Sequence, residues 1–277
     1  MNYTVPGYLT PFIVTGMVAV LTAILLVFNR GLRRTAAEGN ALPEKGRRTA
    51  FWSIALLLVG YFAVAVATSV AGFYRPPAGS APTIQYGLLI PIVVGVLLFS
   101  TWPLLRRMLS IIPNSWLVGV QFYRVIGVIF LLLYAGKHLP GLFALPAGIG
   151  DVLVGIFAPF VAAAYARSPE SAAQSAGKRV RLWNLFGITD LVVAVTLGFL
   201  TSPSPFQVAA FDRPSVLIGM FPLVLIPVFA VPLSILLHIA SLQKLRQKLG
   251  QPQQAEAESY STQRKEAIGS SSHQAIG

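Results

Sequence analysis

Three charged side chains interrupt the apolar runs of this 277-residue chain: Arg124, Asp151 and Asp190. A charged group inside a membrane-spanning helix costs roughly 2.5–3.5 kcal/mol on insertion scales, so such groups face the interior of a helix bundle and pair with one another. Carboxylates and a guanidinium at that depth can bind an ion or the polar group of a solute. An arginine–aspartate pair can also do no more than fix the register of its helices. Both interpretations stay open from the residues alone.

The predicted helix ends indicate which of these charged groups meet. Arg124 and Asp190 each lie eight residues from one end of their predicted spans, on the same side of the membrane. Both are therefore about 12 Å deep, at 1.5 Å per residue, and we predict an ion pair between them. Asp151 lies four residues into its predicted span from the other side. That position favours a contact with Tyr134 or His138, and it also fits a carboxylate that caps the start of its own helix.

Four further polar side chains accompany the charged ones: Gln121, Asn184, His138 and His238. Small residues at helical spacing flank both aspartates, which places the aspartates in contacts between helices. We expect a broken column across the membrane, in the order His138 and Asp151, then Arg124 and Asp190, then Gln121, Asn184 and His238. For the two histidines, an interfacial loop residue and a helix-end residue are the simpler interpretations.

The segment 148–151 reads GIGD and resembles the G-x-G-D motif of intramembrane aspartyl proteases. The resemblance implies two carboxylates that share a proton and activate water, with Asp190 as the partner of Asp151. It covers four residues. In that family the G-x-G-D aspartate is the second of the two along the chain, whereas Asp151 is the first here.

The elements that must position these residues are membrane-spanning helices. Hydrophobic residues make up 55% of the chain and charged residues 11%, whereas a soluble domain carries about 25% charged residues. Runs of roughly 20 apolar residues are long enough to cross a bilayer as helices. We predict an all-α, polytopic transmembrane helix bundle with seven spans: Leu9–Phe28, Phe51–Phe73, Ile84–Leu105, Trp116–Gly136, Ala147–Ala166, Leu182–Thr201 and Val216–Ala240.

Lysine and arginine are distributed unevenly between the two ends of the predicted bundle. One end carries 17 of them and the other end carries three. Because cytoplasmic loops are enriched in these residues, the distribution predicts an N-terminus outside and a C-terminus in the cytoplasm, in the plasma (inner) membrane of a bacterium. The net charge of +12 is then a topology signal, and we predict no nucleic-acid partner.

The chain divides into two regions on composition. Residues 1–243 form the predicted seven-helix transmembrane domain. Residues 244–277 are polar and rich in Gln, Ser and Glu, and we predict a disordered cytoplasmic tail there.

The last predicted span contains Pro222, Pro227 and Pro232. Broken helices line binding sites in many transporters, although prolines are also common in membrane helices without such a role. The chain has no cysteine, which excludes disulfides and thiolate sites. The sequence indicates no catalytic residue, metal site or cofactor, and the expected partners are the lipid bilayer and a small solute or ion.

The leading interpretation is a carrier or permeation bundle for a small solute or ion. The alternative is a non-catalytic membrane scaffold or sensor that acts through its cytoplasmic loops and tail. An intramembrane aspartyl protease is the third.

Overall fold

A computed structural model describes residues 4–37, 43–75 and 79–247. These residues are all-helical, with no strand among them. In chain order the helices are α1 (Leu9–Ala37), α2 (Glu44–Val70), α3 (Ile84–Thr101), the short α4 (Pro103–Ile111), α5 (Asn114–Ala135), α6 (Gly141–Ala166), α7 (Ala173–Thr201) and α8 (Ile226–Gln247). All except α4 are long and apolar enough to cross a membrane, which makes seven such helices in the described part of the chain. The predicted number of spans and the all-helical class are confirmed.

Large apolar side chains point outward along these helices. Leu56 on α2, Ile90 on α3 and Phe160 on α6 are 76%, 57% and 66% exposed, respectively. Water would disfavour such a surface, whereas hydrocarbon accepts it. The exposed belt is therefore typical of a helix bundle that sits in lipid.

Prolines explain two differences between the predicted spans and the helices. Trp102 has φ −96° and ψ 101°, outside the helical region, because a residue before a proline is pushed away from it. The next helix, α4, begins at Pro103. The last helix begins at Ile226 and not at Val216, since the intervening residues form a 3-10 turn and further turns around Pro222.

The start of α8 is irregular and is held by side chains of other helices. Its first turn, Ile226–Ala230, is a π-helix. Pro232 has no N–H to offer the carbonyl of Val228, and the hydroxyl of Tyr61 on α2 donates to that oxygen at 2.6 Å. A backbone carbonyl freed at membrane depth needs such a partner, because lipid offers none.

Lys244 joins the end of α8 to α4. Its Nζ donates to the carbonyl oxygens of Leu109 at 2.9 Å and Ser110 at 2.8 Å, and also to that of Ile112. The last carbonyls of a helix lack partners within the helix, and a cation is favoured there. This contact fixes α4 against the bundle.

The predicted tail falls almost entirely outside the described residues. Lys244 to Gln247 continue α8, and the remainder of the predicted tail, residues 248–277, lies outside the part that the structure describes.

Candidate functional site

Four helices bring polar side chains to one level of the bundle. Arg124 lies eleven residues before the end of α5, and Asp190 lies eleven residues before the end of α7. Asp151 lies ten residues after the start of α6, and His238 lies twelve after the start of α8. Because consecutive spanning helices alternate in direction, all four residues lie roughly 15–18 Å from the same end of the bundle.

Arg124 is the centre of this group and is only 3% exposed. Its Nε donates to Asp151 Oδ1 at 2.8 Å, and its Nη2 lies 2.7 Å from the same oxygen. Nη2 also donates to Asp190 Oδ2, and Nη1 donates to the carbonyl oxygen of Gly187 at 3.1 Å. The predicted ion pair between Arg124 and Asp190 is present, and Asp151 joins it. We call Arg124, Asp151 and Asp190 the charged centre.

The charged centre holds one cation and two potential anions. With all three groups ionised, one negative charge is left uncompensated. A buried charge without a counter-charge is costly in a medium of low dielectric constant. The centre therefore favours a further positive charge or a proton.

His238 on α8 connects Arg124 to Asn184 on α7. Its Nε2 lies 3.3 Å from Arg124 Nη1, and its Nδ1 lies 2.8 Å from Asn184 Oδ1. A guanidinium can only donate, so Nε2 must accept and the proton is on Nδ1, which donates to Asn184. The Asn184 Nδ2 in turn donates to the carbonyl of Val180 at 2.8 Å and to Ser241 Oγ at 3.0 Å. This chain fixes one tautomer of a neutral, fully buried histidine.

Gln121 and Tyr123 connect α5 to α8 beside the charged centre. Gln121 Nε2 donates to the carbonyl of Ser234 at 3.1 Å, while its buried Oε1 has no hydrogen-bond partner among the described residues. The hydroxyls of Tyr123 and Ser234 lie 2.5 Å apart. Gln121 thus lies near the charged centre but does not contact its three members by any hydrogen bond in the described residues.

Three glycines make room for the charged centre. A β-carbon at Gly150 would overlap the Asp190 carboxylate, and one at Gly127 would overlap the Asp151 side chain. At Gly187 a β-carbon would come within 2.5 Å of the His238 ring. The close approach of α5, α6, α7 and α8 therefore depends on the missing side chains at these positions.

The expected depth of Asp151 is wrong. The helix α6 begins at Gly141 and not at Ala147, because Pro146 lies in its second turn, where the helix continues through it. The added turns bury Phe143 against α5, where its ring packs edge to face on Phe130 with centroids 5.2 Å apart. Asp151 is consequently in the middle of α6, level with Arg124, and it does not cap the helix.

His138 is not part of the network. It lies in the loop between α5 and α6 and is half-buried. The contact expected between His138 and Asp151 is absent because Asp151 lies deeper than its predicted span suggested. The expected column therefore contracts to a cluster at one level, with Gln121, Asn184 and His238 beside the charged centre.

Two cavities meet at Asp151. One has a volume of about 20 Å³ and is bounded by Arg124, Gly127 and Ser234 among others. The other has a volume of about 90 Å³ and runs from Asp151 to Pro82, which lies just before the first residue of α3. The charged centre is thus buried but not tightly enclosed.

The charged centre differs from the carboxylate pair of an aspartyl protease. No group of three or more His, Cys, Asp or Glu side chains in the described part of the chain is placed to hold a metal ion. In an aspartyl protease two carboxylates share a proton, whereas here Arg124 lies against both Asp151 and Asp190. The G-x-G-D resemblance is therefore not matched by the geometry around it.

A family model for a domain of unknown function, DUF8737, matches residues 81–246. The chain belongs to this family. The match covers α3 to α7, almost all of α8, and every residue of the charged centre. Comparison with curated proteins and with solved structures finds no match.

Proposed function

We propose that this protein is a carrier or permeation pathway for a small solute or ion, and that the charged centre is its binding site. The observation that carries the proposal is the imbalance of Arg124 against two aspartates in the interior of a lipid-facing bundle. A purely structural pair needs one carboxylate for one guanidinium. The second carboxylate adds a desolvation cost that a bound cation, a proton or a donor group on a solute would offset.

The surroundings of the charged centre support a permeation role. Two cavities meet at Asp151, so a ligand has space next to the charge. The adjoining helix α8 starts with a π-helical turn. Such turns occur frequently at functional sites, and interrupted helices line the sites of many transporters.

The proposal includes an orientation and a location. With 17 lysines and arginines at one end and three at the other, the basic end faces the cytoplasm of a bacterium and the N-terminus is outside. A solute would then pass between the exterior and the cytoplasm through the interior of the bundle.

The experiment is a flux screen in proteoliposomes. Purified full-length protein is reconstituted, and a panel of inorganic ions, amines, amino acids and sugars is added outside. Uptake is read from light scattering and from a pH-sensitive dye in the lumen. We expect at least one solute to enter faster than into protein-free liposomes, and we expect Asp190→Asn to abolish that flux while the variant still inserts.

The scaffold or sensor alternative predicts a different pattern. There no member of the panel would enter, and removal of residues 248–277 would impair function in cells more than Asp190→Asn does. That result would contradict the carrier proposal.

A further inference from the structure

The larger of the two cavities has the features of a ligand site. It has a volume of about 90 Å³ and lies between α3, α6, α7 and α8. The rings of Phe130, Phe143 and Phe199 and the side chain of Val195 form part of its wall, and Asp151 is the charged group among its lining residues. A ligand in it meets a mainly apolar surface with one carboxylate, and with Gln85 and Ser202 as the other polar side chains.

One oxygen of that carboxylate, Oδ2, contrasts with Oδ1, which contacts Arg124. Asp151 is 8% exposed, and both of its contacts with Arg124 involve Oδ1. No hydrogen bond to Oδ2 occurs among the described residues. A carboxylate oxygen that is largely removed from water and accepts no hydrogen bond favours a ligand that supplies a donor.

The chemistry of the wall decides what kind of donor fits. Calcium and magnesium ions take six or more oxygen ligands, whereas this lining offers one carboxylate, the Gln85 amide and the Ser202 hydroxyl. A neutral donor would leave the excess negative charge of the charged centre in place. A cation with an apolar body satisfies the wall and the charge together, because its alkyl part packs on the phenyl rings while its charge meets the carboxylate.

The volume limits the size of that body. A cavity of about 150 Å³ accepts benzene, so a cavity of about 90 Å³ holds on the order of four carbon atoms by proportion. We infer that this cavity binds short-chain aliphatic amines in their protonated form, with the ammonium group on the Asp151 carboxylate and the alkyl chain among Phe130, Phe143 and Phe199. The inference rests on the proposed function, for which it names the substrate class.

The test is equilibrium binding of radiolabelled n-butylamine to the purified full-length protein in lipid nanodiscs. We expect saturable binding that n-propylamine displaces and that n-butanol, which has no charge, displaces about 10- to 100-fold less well. Asp151→Asn removes the carboxylate and is expected to weaken butylamine binding by a similar factor.

A matched pair of variants on α7 tests the same site without changing Asp151, so the test does not depend on whether Asp151→Asn folds. Val195→Phe fills the cavity and is expected to abolish binding. Val192→Phe makes the same change on the outward face, where Val192 is 55% exposed, and is expected to leave binding unchanged. Absence of saturable binding, or equal binding by the two variants, overturns the inference.

The outcomes separate this inference from the proposed function. If butylamine does not bind but another solute of the panel enters proteoliposomes through the charged centre, the substrate class is wrong and the carrier stands. If butylamine binds as described but no solute enters, the site stands and the carrier proposal fails.

Discussion

The three members of the charged centre are not equivalent at the scale of single residues. Arg124 contacts both carboxylates, so removing its charge leaves two buried anions without a partner. Removing the charge of either aspartate leaves one cation facing one anion. Breaking a buried ion pair by removing one partner costs about 3–5 kcal/mol, because the remaining charge is uncompensated.

The first prediction follows from this asymmetry. Arg124→Gln is expected to lower the free energy of unfolding by about 3–5 kcal/mol, and Asp190→Asn by clearly less, since Arg124 keeps Asp151. The measurement is thermal unfolding of the detergent-purified variants. Equal losses for the two variants would show that the aspartates do not share the arginine.

The second prediction concerns the space that glycine provides. Gly150→Ala puts a β-carbon where the Asp190 carboxylate lies, and overpacking of this kind costs about 1–3 kcal/mol. Gly60→Ala on α2 is the matched control, because nothing lies within 4 Å of its β-carbon. The control is expected to be neutral or slightly stabilising. Unfolding measurements that rank the two variants in the reverse order would contradict the described packing.

At the scale of elements, the irregular start of α8 depends on donors from its neighbours. Pro232 removes the usual i+4 donor of the Val228 carbonyl, and the hydroxyl of Tyr61 on α2 donates to that oxygen. Gln121 on α5 donates to the carbonyl of Ser234, which lies in α8 directly after the irregular start. The π-helical turn beside the cavities is thus held by two other helices and not by its own backbone alone.

The third prediction tests this support. Tyr61→Phe keeps the ring and removes the hydroxyl, so the Val228 carbonyl loses this donor at membrane depth. We expect a loss of about 1–3 kcal/mol in the free energy of unfolding. Tyr86→Phe on α3 removes a hydroxyl from a side chain that is 51% exposed and should change little. A Tyr61→Phe variant as stable as Tyr86→Phe would mean that the carbonyl has another partner.

At the scale of the whole molecule, the fourth prediction concerns orientation. The chain has no cysteine, so a single introduced thiol reports its own side of the membrane. In intact cells a membrane-impermeant maleimide is expected to label Ser204→Cys, in the segment between α7 and α8. It should label Ser171→Cys, in the segment between α6 and α7, only after the cells are permeabilised. The opposite pattern would reverse the proposed topology.

Most of the fold follows from the sequence, because runs of apolar residues alone determine which segments are long enough to cross a bilayer. The ends of the helices follow less well. The predicted span starts at Ala147, directly after Pro146, whereas α6 begins at Gly141 and buries the ring of Phe143 in the added residues. That extension places Asp151 at the level of Arg124, and no local pattern in the sequence predicts it.

Parts of the site were beyond sequence reasoning for a different reason. The pairing of Arg124 with Asp190 could be predicted, since depth along two helices is a local count. The hydrogen bond from Tyr61 to the carbonyl of Val228 joins residues far apart in the chain. The only local signal for it was Pro232, which shows that a carbonyl is freed but not which side chain reaches it.

The measurement that tests the central claim most directly is the flux of a triple variant, Arg124→Gln, Asp151→Asn and Asp190→Asn, carrying the solute that gives the highest wild-type flux. Removing all three charges together leaves no uncompensated buried charge, and the amide side chains can still hydrogen-bond to one another, so we expect this variant to fold and insert. We predict that its flux, relative to the amount of folded protein, falls to that of protein-free liposomes. Flux retained at the wild-type level would contradict the account, because the charged centre would then serve only the packing of the bundle.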